Sequence, residues 1–384
     1  MSDQAPLTAR STEHPTHTEW FLTGTPAAAK AGPAEARAVF AEAAKVLAEK
    51  NVQVMQEKVY GLRPQREAIL AARREEYARR DLDAQVPVTF LEGPPAEGGS
   101  FAGLQIWGAS PKKAGEKLIT TLEKDGAPVG RRWTGPDYQL LHFAAIDGRG
   151  PDGKLRDCPS CQAQQMFENA AASLAEHKLT YKDVPRTWIY LSRILDWYGE
   201  FNRVRNTHYG RVGLSASEGS IFPASTGIQA RSGQEECLMD VLAVELGKKS
   251  SLAVKPVIKT PRQDKAFSYG SAFSRAVVLE SDGHKTVFIS GTASINAAGA
   301  TTHLGEREAQ CLDTLIAIAA ILEDQGGGLE HLCQATVFCK DAAVFEAYQS
   351  ATRRLRVPKI PGVPLIADVC RDNLLVEIEA VAMI

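Results

Sequence analysis

The sequence has no apolar run approaching the ~18 residues that a membrane-crossing helix needs. It has little net charge, −2 from 44 basic and 46 acidic residues. Nothing in that balance selects nucleic acid or an anionic membrane as a partner. Met1 to His17 lacks a basic-then-apolar leader. It reads as a disordered lead, and the chain as cytoplasmic. Cysteine is sparse and odd in number, seven in 384 residues. That favours free thiols over a disulfide framework. Cys158-Pro-Ser-Cys161 is the one CxxC. A structural zinc site would need a second pair or histidines at ligand spacing, and the chain has neither, so these read as incidental thiols. P-loop, Rossmann glycine, HExxH and serine-elbow patterns are also missing, so no metal or nucleotide cofactor is expected.

What the chain does have is ordinary globular composition, 44% hydrophobic and 23% charged, enough for two or three domains. Its elements recur in order. Helical spacing marks 33–50, 66–80, 162–177, 197–209, 307–323 and 344–355. Strand alternation marks 52–60, 86–91 and 101–107, then 117–122, 138–146, 184–191, 223–229 and 237–245. The last set is 273–280, 286–290, 332–339, 364–370 and 374–382. Residues match as well: Phe21-Leu-Thr-Gly-Thr25 matches Phe288-Ile-Ser-Gly-Thr292. Asp183–Leu191 matches Glu330–Phe338, and Met239–Glu245 matches Glu377–Ala382 in pattern. The period, about 120 residues, exceeds solenoid periods. This predicts an α+β fold of three tandem modules at 18–110, 111–250 and 251–384 after a lead at 1–17. The first module is expected to be degenerate and to lack its opening hairpin.

The closing strand, Leu374 to Ala382, carries Glu377 and Glu379. Period two places both acids on one face. Phe288-Ile-Ser-Gly-Thr292, the helix after it, Ala335-Thr-Val-Phe338 and this closing strand resemble the Rid family, the reactive intermediate deaminases once called YjgF. The resemblance implies small α+β domains, with two helices on one sheet, that assemble as trimers with ligand clefts between subunits. Three copies in one chain would then form an intrachain pseudo-trimer, alone or within a homo-oligomer. Trp188-Ile-Tyr-Leu191, Phe201-Asn-Arg-Val-Arg205, Phe273-Ser-Arg-Ala276 and Phe288–Ser294 resemble the chorismatase branch. Cys370 stands seven residues before Glu377, which is similar to the spacing in chorismatases that make 3-hydroxybenzoate. Deaminases of the Rid type use an arginine just before the penultimate strand. Here Val363-Pro-Leu-Ile and Pro223-Ala-Ser225 supply none.

The resemblance implies a small carboxylated metabolite, chorismate or a related enol ether, cleaved to pyruvate and a hydroxylated ring acid without a cofactor. Arg205 and Arg275 would grip its carboxylates, because a guanidinium fork binds carboxylate bidentately. Glu377 would be the general acid, kept protonated in a dry cleft with Glu379 nearby. Otherwise it is an acid blunting a sheet edge. Backbone N–H groups at Gly291 would hold a carboxylate or enol oxygen. Tyr190 and Tyr269 would donate hydrogen bonds, and Cys370 would line the pocket. His142 is expected where the second copy would have Gly291, blocking that copy's site, and Leu238 near the place of Glu377. The rival readings are a Rid-type imine or enamine deaminase and a non-catalytic small-molecule binder.

Overall fold

The strand Cys237–Leu246 begins with eight buried residues in succession. A strand apolar on both faces must be covered on both. The computed structural model, which describes residues 7–27, 31–214 and 222–384, provides that cover by repeating one α+β unit three times.

The first unit holds β1 (Leu7–Glu13), β2 (His17–Gly24), α1 (Pro33–Glu49), β3 (Gln53–Gly61), α2 (Arg66–Ala78), β4 (Val88–Glu92) and β5 (Phe101–Pro111), in sheet order β1-β2-β5-β3-β4. The second holds β6 (Ile119–Lys124), β7 (Ala127–Thr134), β8 (Tyr138–Asp147), α3 (Pro159–Glu176), β9 (Arg186–Leu191), α4 (Ile194–Arg211), β10 (Ala224–Gln229) and β11 (Cys237–Leu246), in order β10-β9-β11-β8-β7-β6. The third holds β12 (Ala253–Val257), β13 (Ala276–Ser281), β14 (His284–Ala293), α5 (Arg307–Asp324), β15 (Leu332–Cys339), α6 (Ala342–Arg354), β16 (Gly362–Ile366) and β17 (Val376–Met383), in order β12-β13-β14-β17-β15-β16. In each, the closing strand lies antiparallel between a hairpin strand and the first strand of a parallel pair.

Local chemistry sets the helices. In α1, Pro33 occupies the first turn, where its missing N–H costs nothing, and Glu35 accepts the Gly32 N–H at 2.7 Å. Ala36, Val39, Phe40, Ala43 and Leu47 form its buried stripe. Asp341 caps α6 by accepting the Val344 N–H at 2.8 Å.

Three sequence expectations are corrected. Residues 7–13 of the expected lead form β1, paired in register with β2, so the first unit does have an opening hairpin. Its mostly exposed, polar edge residues disguise it. The strands β7 and β12 were not foreseen. Cys158 and Cys161 are joined as a disulfide rather than being incidental thiols.

One face of each sheet packs on its own pair of helices, giving three private cores. The other faces meet in a shared core. There Phe21 and Trp107 of the first unit, Trp133 and Trp188 of the second and Phe288 of the third pack at centroid distances of 5.4 to 6.2 Å. Such aromatic pairs contribute about 0.5–1.5 kcal/mol each beyond area burial.

Inside that shared core lies a buried charged layer drawn from all three units. Lys58 Nζ lies 3.6 Å from Glu379 Oε1, and Arg186 Nη2 donates to Glu379 Oε2 at 3.0 Å. Lys58 and Arg186 also approach the Trp188 ring, at 4.3 and 4.8 Å from its centroid. Asp240 accepts from Thr89 Oγ1 at 2.9 Å and the Ala145 N–H at 2.8 Å, with His142 Nε2 at 3.5 Å.

Candidate active site between the second and third units

The sheet registers identify equivalent places in the three units. Gly103, Leu238 and Glu377 stand opposite Tyr60, Tyr190 and Phe338. One pleat further, Gln105, Asp240 and Glu379 stand opposite Lys58, Trp188 and Thr336. The acid of β17 therefore has Leu238 as its counterpart in the second unit and Gly103 in the first.

Glu377 faces a pocket where β10 and α4 meet β14 and β17. The seam is held by hydroxyls: Ser290 Oγ accepts the Ser225 N–H at 2.8 Å and donates to the Ser274 carbonyl at 2.6 Å. From the second unit come Tyr198, Arg205, Ser225 and Gly227. From the third come Phe273, Arg275, Gly291, Cys370, Arg371 and Glu377. The pocket encloses about 60 Å³.

The pocket's cations are held in different ways. Arg205 is 2% exposed, and among the described residues no acid pairs with it. Its Nη2 donates to Asn202 Oδ1 at 2.7 Å, and its Nε has no protein acceptor. A buried guanidinium with a spare donor is costly unless an anion completes it. Arg275 is anchored through Nε and Nη2 to the Asp264 carbonyl at 3.0 and 2.7 Å. Arg371 Nη1 donates to the Gly299 carbonyl.

Burial, reinforced by the charge of Glu379, pushes the Glu377 carboxyl up to about 8 against the opposing pull of Arg186 and Arg371. It is the protonated member of the pair at neutral pH. Glu379 behaves oppositely: burial resists its ionisation, but Lys58, Arg186 and the hydroxyls of Thr226 and Thr336 hold it below the usual carboxylate range. Burial, then the charge of Glu377, drives the Cys370 thiol up to about 12, so it stays a thiol.

The structure thus brings together five of the residues singled out from sequence: Glu377, Arg205, Arg275, Gly291 and Cys370. It separates Tyr190, which is buried beside Leu238 in the shared core, 6.0 Å by ring centroid from Lys58 Nζ. The side chain of Tyr269 lies outside the described residues. Gly291 acts differently from expectation. Its N–H is taken by Thr226 Oγ1 at 3.2 Å. What it contributes is the absence of a side chain, since a Cβ there would run into Glu377 Oε1. His142 does not hold the equivalent place. It pairs with Leu242 as Phe288 pairs with Val381, and the bulge position matching Gly291 is Ala145, at φ 51°.

Two site residues were missed, and each left a trace in the sequence. Tyr198 precedes Arg205 by two helical turns on α4, the spacing of one helix face. Arg371 adjoins Cys370. Among the described residues no cluster of three or more His, Cys, Asp or Glu is placed to hold a metal, and no helix is long and apolar enough to cross a membrane.

Comparison with known proteins bears on the family and the fold. The family model described as Endoribonuclease L-PSP matches residues 264–384. A 3-hydroxybenzoate synthase of Streptomyces hygroscopicus is 30% identical over 260 residues, which span 61% of this chain and 71% of that protein. A chorismatase crystal structure superposes with a TM-score of 0.63 over 96% of this chain and 100% of its own, at 16% identity, a likeness of fold. With three repeated α+β units and a relative matched over most of its length, the chain belongs to the Rid/YjgF superfamily, closest to its chorismatase branch.

Proposed function

We propose that this protein cleaves chorismate, or a closely related carboxylated enol ether, to pyruvate and a hydroxybenzoate-type acid, with Glu377 as the general acid. The observation that carries this reading is a carboxyl held protonated near neutral pH in a cleft that also presents three guanidinium groups. Chorismate has two carboxylates and an enol ether, so it needs both features. Arg205, with its spare donor, takes one carboxylate, and Arg275 and Arg371 face the other. Glu377 gives its proton to the methylene carbon of the enolpyruvyl group, and the positive charge that develops beside the ether oxygen is balanced by the new carboxylate. The bond between the ring carbon and the ether oxygen then breaks, and that oxygen leaves as the keto oxygen of pyruvate. The cationic ring returns a proton to the Glu377 carboxylate, from a ring C–H on aromatising or from an added water. If the ring aromatises, the products contain the atoms of the substrate and no net water is consumed. If it leaves as a dihydrodiol, one water is added. Cys370, as a neutral thiol, lines the wall. The 3-hydroxybenzoate synthase relative supports the aromatic outcome.

The test is incubation of the purified chain with chorismate, following pyruvate by a coupled lactate dehydrogenase assay and the ring product by chromatography. Pyruvate release by the wild type and its loss in Glu377→Gln are expected. A wild type indistinguishable from buffer, or one that instead hydrolyses amino-acid imines, overturns the proposal.

A further inference from the structure

The disulfide between Cys158 and Cys161 has no part in the cleft chemistry. Its Cα atoms are 5.0 Å apart, and it closes a loop of sequence separation 3. Cross-linking so short a loop removes little entropy from the unfolded chain, so the bridge is poorly suited to stapling the fold. Its surroundings suit exchange instead. Cys158 is the N-cap of α3, with Pro159 in the first turn. Its sulfur accepts the Cys161 N–H at 3.0 Å and lies 3.3 Å from Ser160 Oγ. A thiolate there gains from the helix N-terminus. Cys161 is exposed, whereas four of the five free cysteines are buried and the fifth, Cys370, lies in the cleft. Cys161 also forms a lip of a groove of about 290 Å³ between α3 and α4, whose far wall carries Arg203 and Arg211. Arg203 is engaged by Glu200 at 3.3 Å, while Arg211 has no acidic partner among the described residues.

We propose that Cys158 and Cys161 form a thiol–disulfide exchange site for low-molecular-weight thiols that carry a carboxylate, the acid lying toward Arg211 and Arg203 and the sulfur toward Cys161. The incoming thiolate attacks the exposed Cys161 sulfur. The bond between the two cysteine sulfurs breaks, a mixed disulfide forms on Cys161, and the electron pair leaves on Cys158 as a thiolate, which the Cys161 N–H stabilises. A second thiolate attacks the mixed disulfide at the small-molecule sulfur and releases the oxidised small molecule. The sum is one protein disulfide plus two thiols giving one protein dithiol plus one small disulfide. The two thiol protons end on Cys158 and Cys161.

The experiment equilibrates the full native chain with reduced and oxidised glutathione, traps free thiols with iodoacetamide and reads the 158–161 peptide by mass spectrometry. The pair is expected to pass between bridged and doubly alkylated forms in one two-electron transition. Cys158→Ser is expected to retain one glutathione on Cys161. Arg203→Glu/Arg211→Glu should slow reduction by glutathione several-fold and leave reduction by 2-mercaptoethanol, which has no carboxylate, unchanged. Equal slowing with both thiols, or none with either, overturns the carboxylated-thiol assignment. A pair that stays alkylatable in oxidised glutathione, or a bridge opened only after unfolding in urea, overturns the site itself. Cys158→Ser/Cys161→Ser should melt with the wild type, and a large fall in its melting temperature would make the bridge structural and overturn the exchange role.

Discussion

At the junction of the second and third units the closing strand presents Glu377, whereas at the junction of the first and second the same register place holds Leu238, 1% exposed. The surroundings diverge in step. Thr226 on β10 and Thr89 on β4 hold equivalent places, opposite Trp188 and Lys58. Thr226 takes the Gly291 N–H and the Arg186 guanidinium, while Thr89 is spent on Asp240. At the third junction Val363 replaces the threonine and packs against Gly103, where a Cβ would stand 2.8 Å from its methyl carbon. One framework therefore supports either a cleft or a plug. The choice rests on a few side chains at fixed places, with the backbone common to all three.

The largest expected effect comes from erasing the acid. Glu377→Gln should lower kcat/KM for pyruvate release by about 10²–10⁴-fold, the usual worth of a general acid, with unchanged circular dichroism. The wild-type rate should fall as pH rises through about 8, because the carboxyl loses its proton there, and that limb should be absent in the variant.

Next comes the buried charged layer. Glu379→Gln leaves Lys58 and Arg186 buried without their carboxylate, and should cost about 3–5 kcal/mol of stability in urea unfolding. Adding Lys58→Met should recover part of the loss, a coupling that a double-mutant cycle measures. Additive losses would mean that the contact contributes nothing.

Gly291→Ala should act locally. Its Cβ displaces the Glu377 carboxyl, and a misplacement of that order costs about 10²-fold in rate, with little effect on melting. The smallest effect is expected from the converse change. Leu238→Glu in a Glu377→Gln background should restore no pyruvate release, since the guanidinium groups stay at the other junction. Recovered activity would show that the acid alone separates the two clefts.

Much of this was legible in the sequence because the repeat is written in alternation, which depends only on neighbours in the chain. Phe21 and Phe288 open matching motifs and stand opposite Trp107 and Val381 at the same register place. Glu377 stood out on one alternating strand, and Cys370 through the family resemblance of its spacing to that acid. What could not be read depends on distant partners. Lys58, Arg186, Asp240 and Glu379 look like surface charges until three units bring them together. Edges failed for another reason: β1 and β12 are partly solvated and lack the apolar face that alternation needs. His142 was misplaced because 142–146 matches Phe288–Thr292 at no position, with Ala145 standing where the third copy has its glycine, so no residue identity marks the register.

The shared charge layer also has a consequence in time. Lys58 is synthesised hundreds of residues before Glu379, so during synthesis the first unit stands with Phe21, Trp107 and Lys58 on one open face. A lysine amid aromatic side chains keeps such a face hydrated and discourages its pairing with other chains, as gatekeeper charges do on exposed hydrophobic strands. The same ammonium that meets Glu379 in the finished protein thus protects the half-made one, and its partner arrives only when β17 takes its place between β14 and β15.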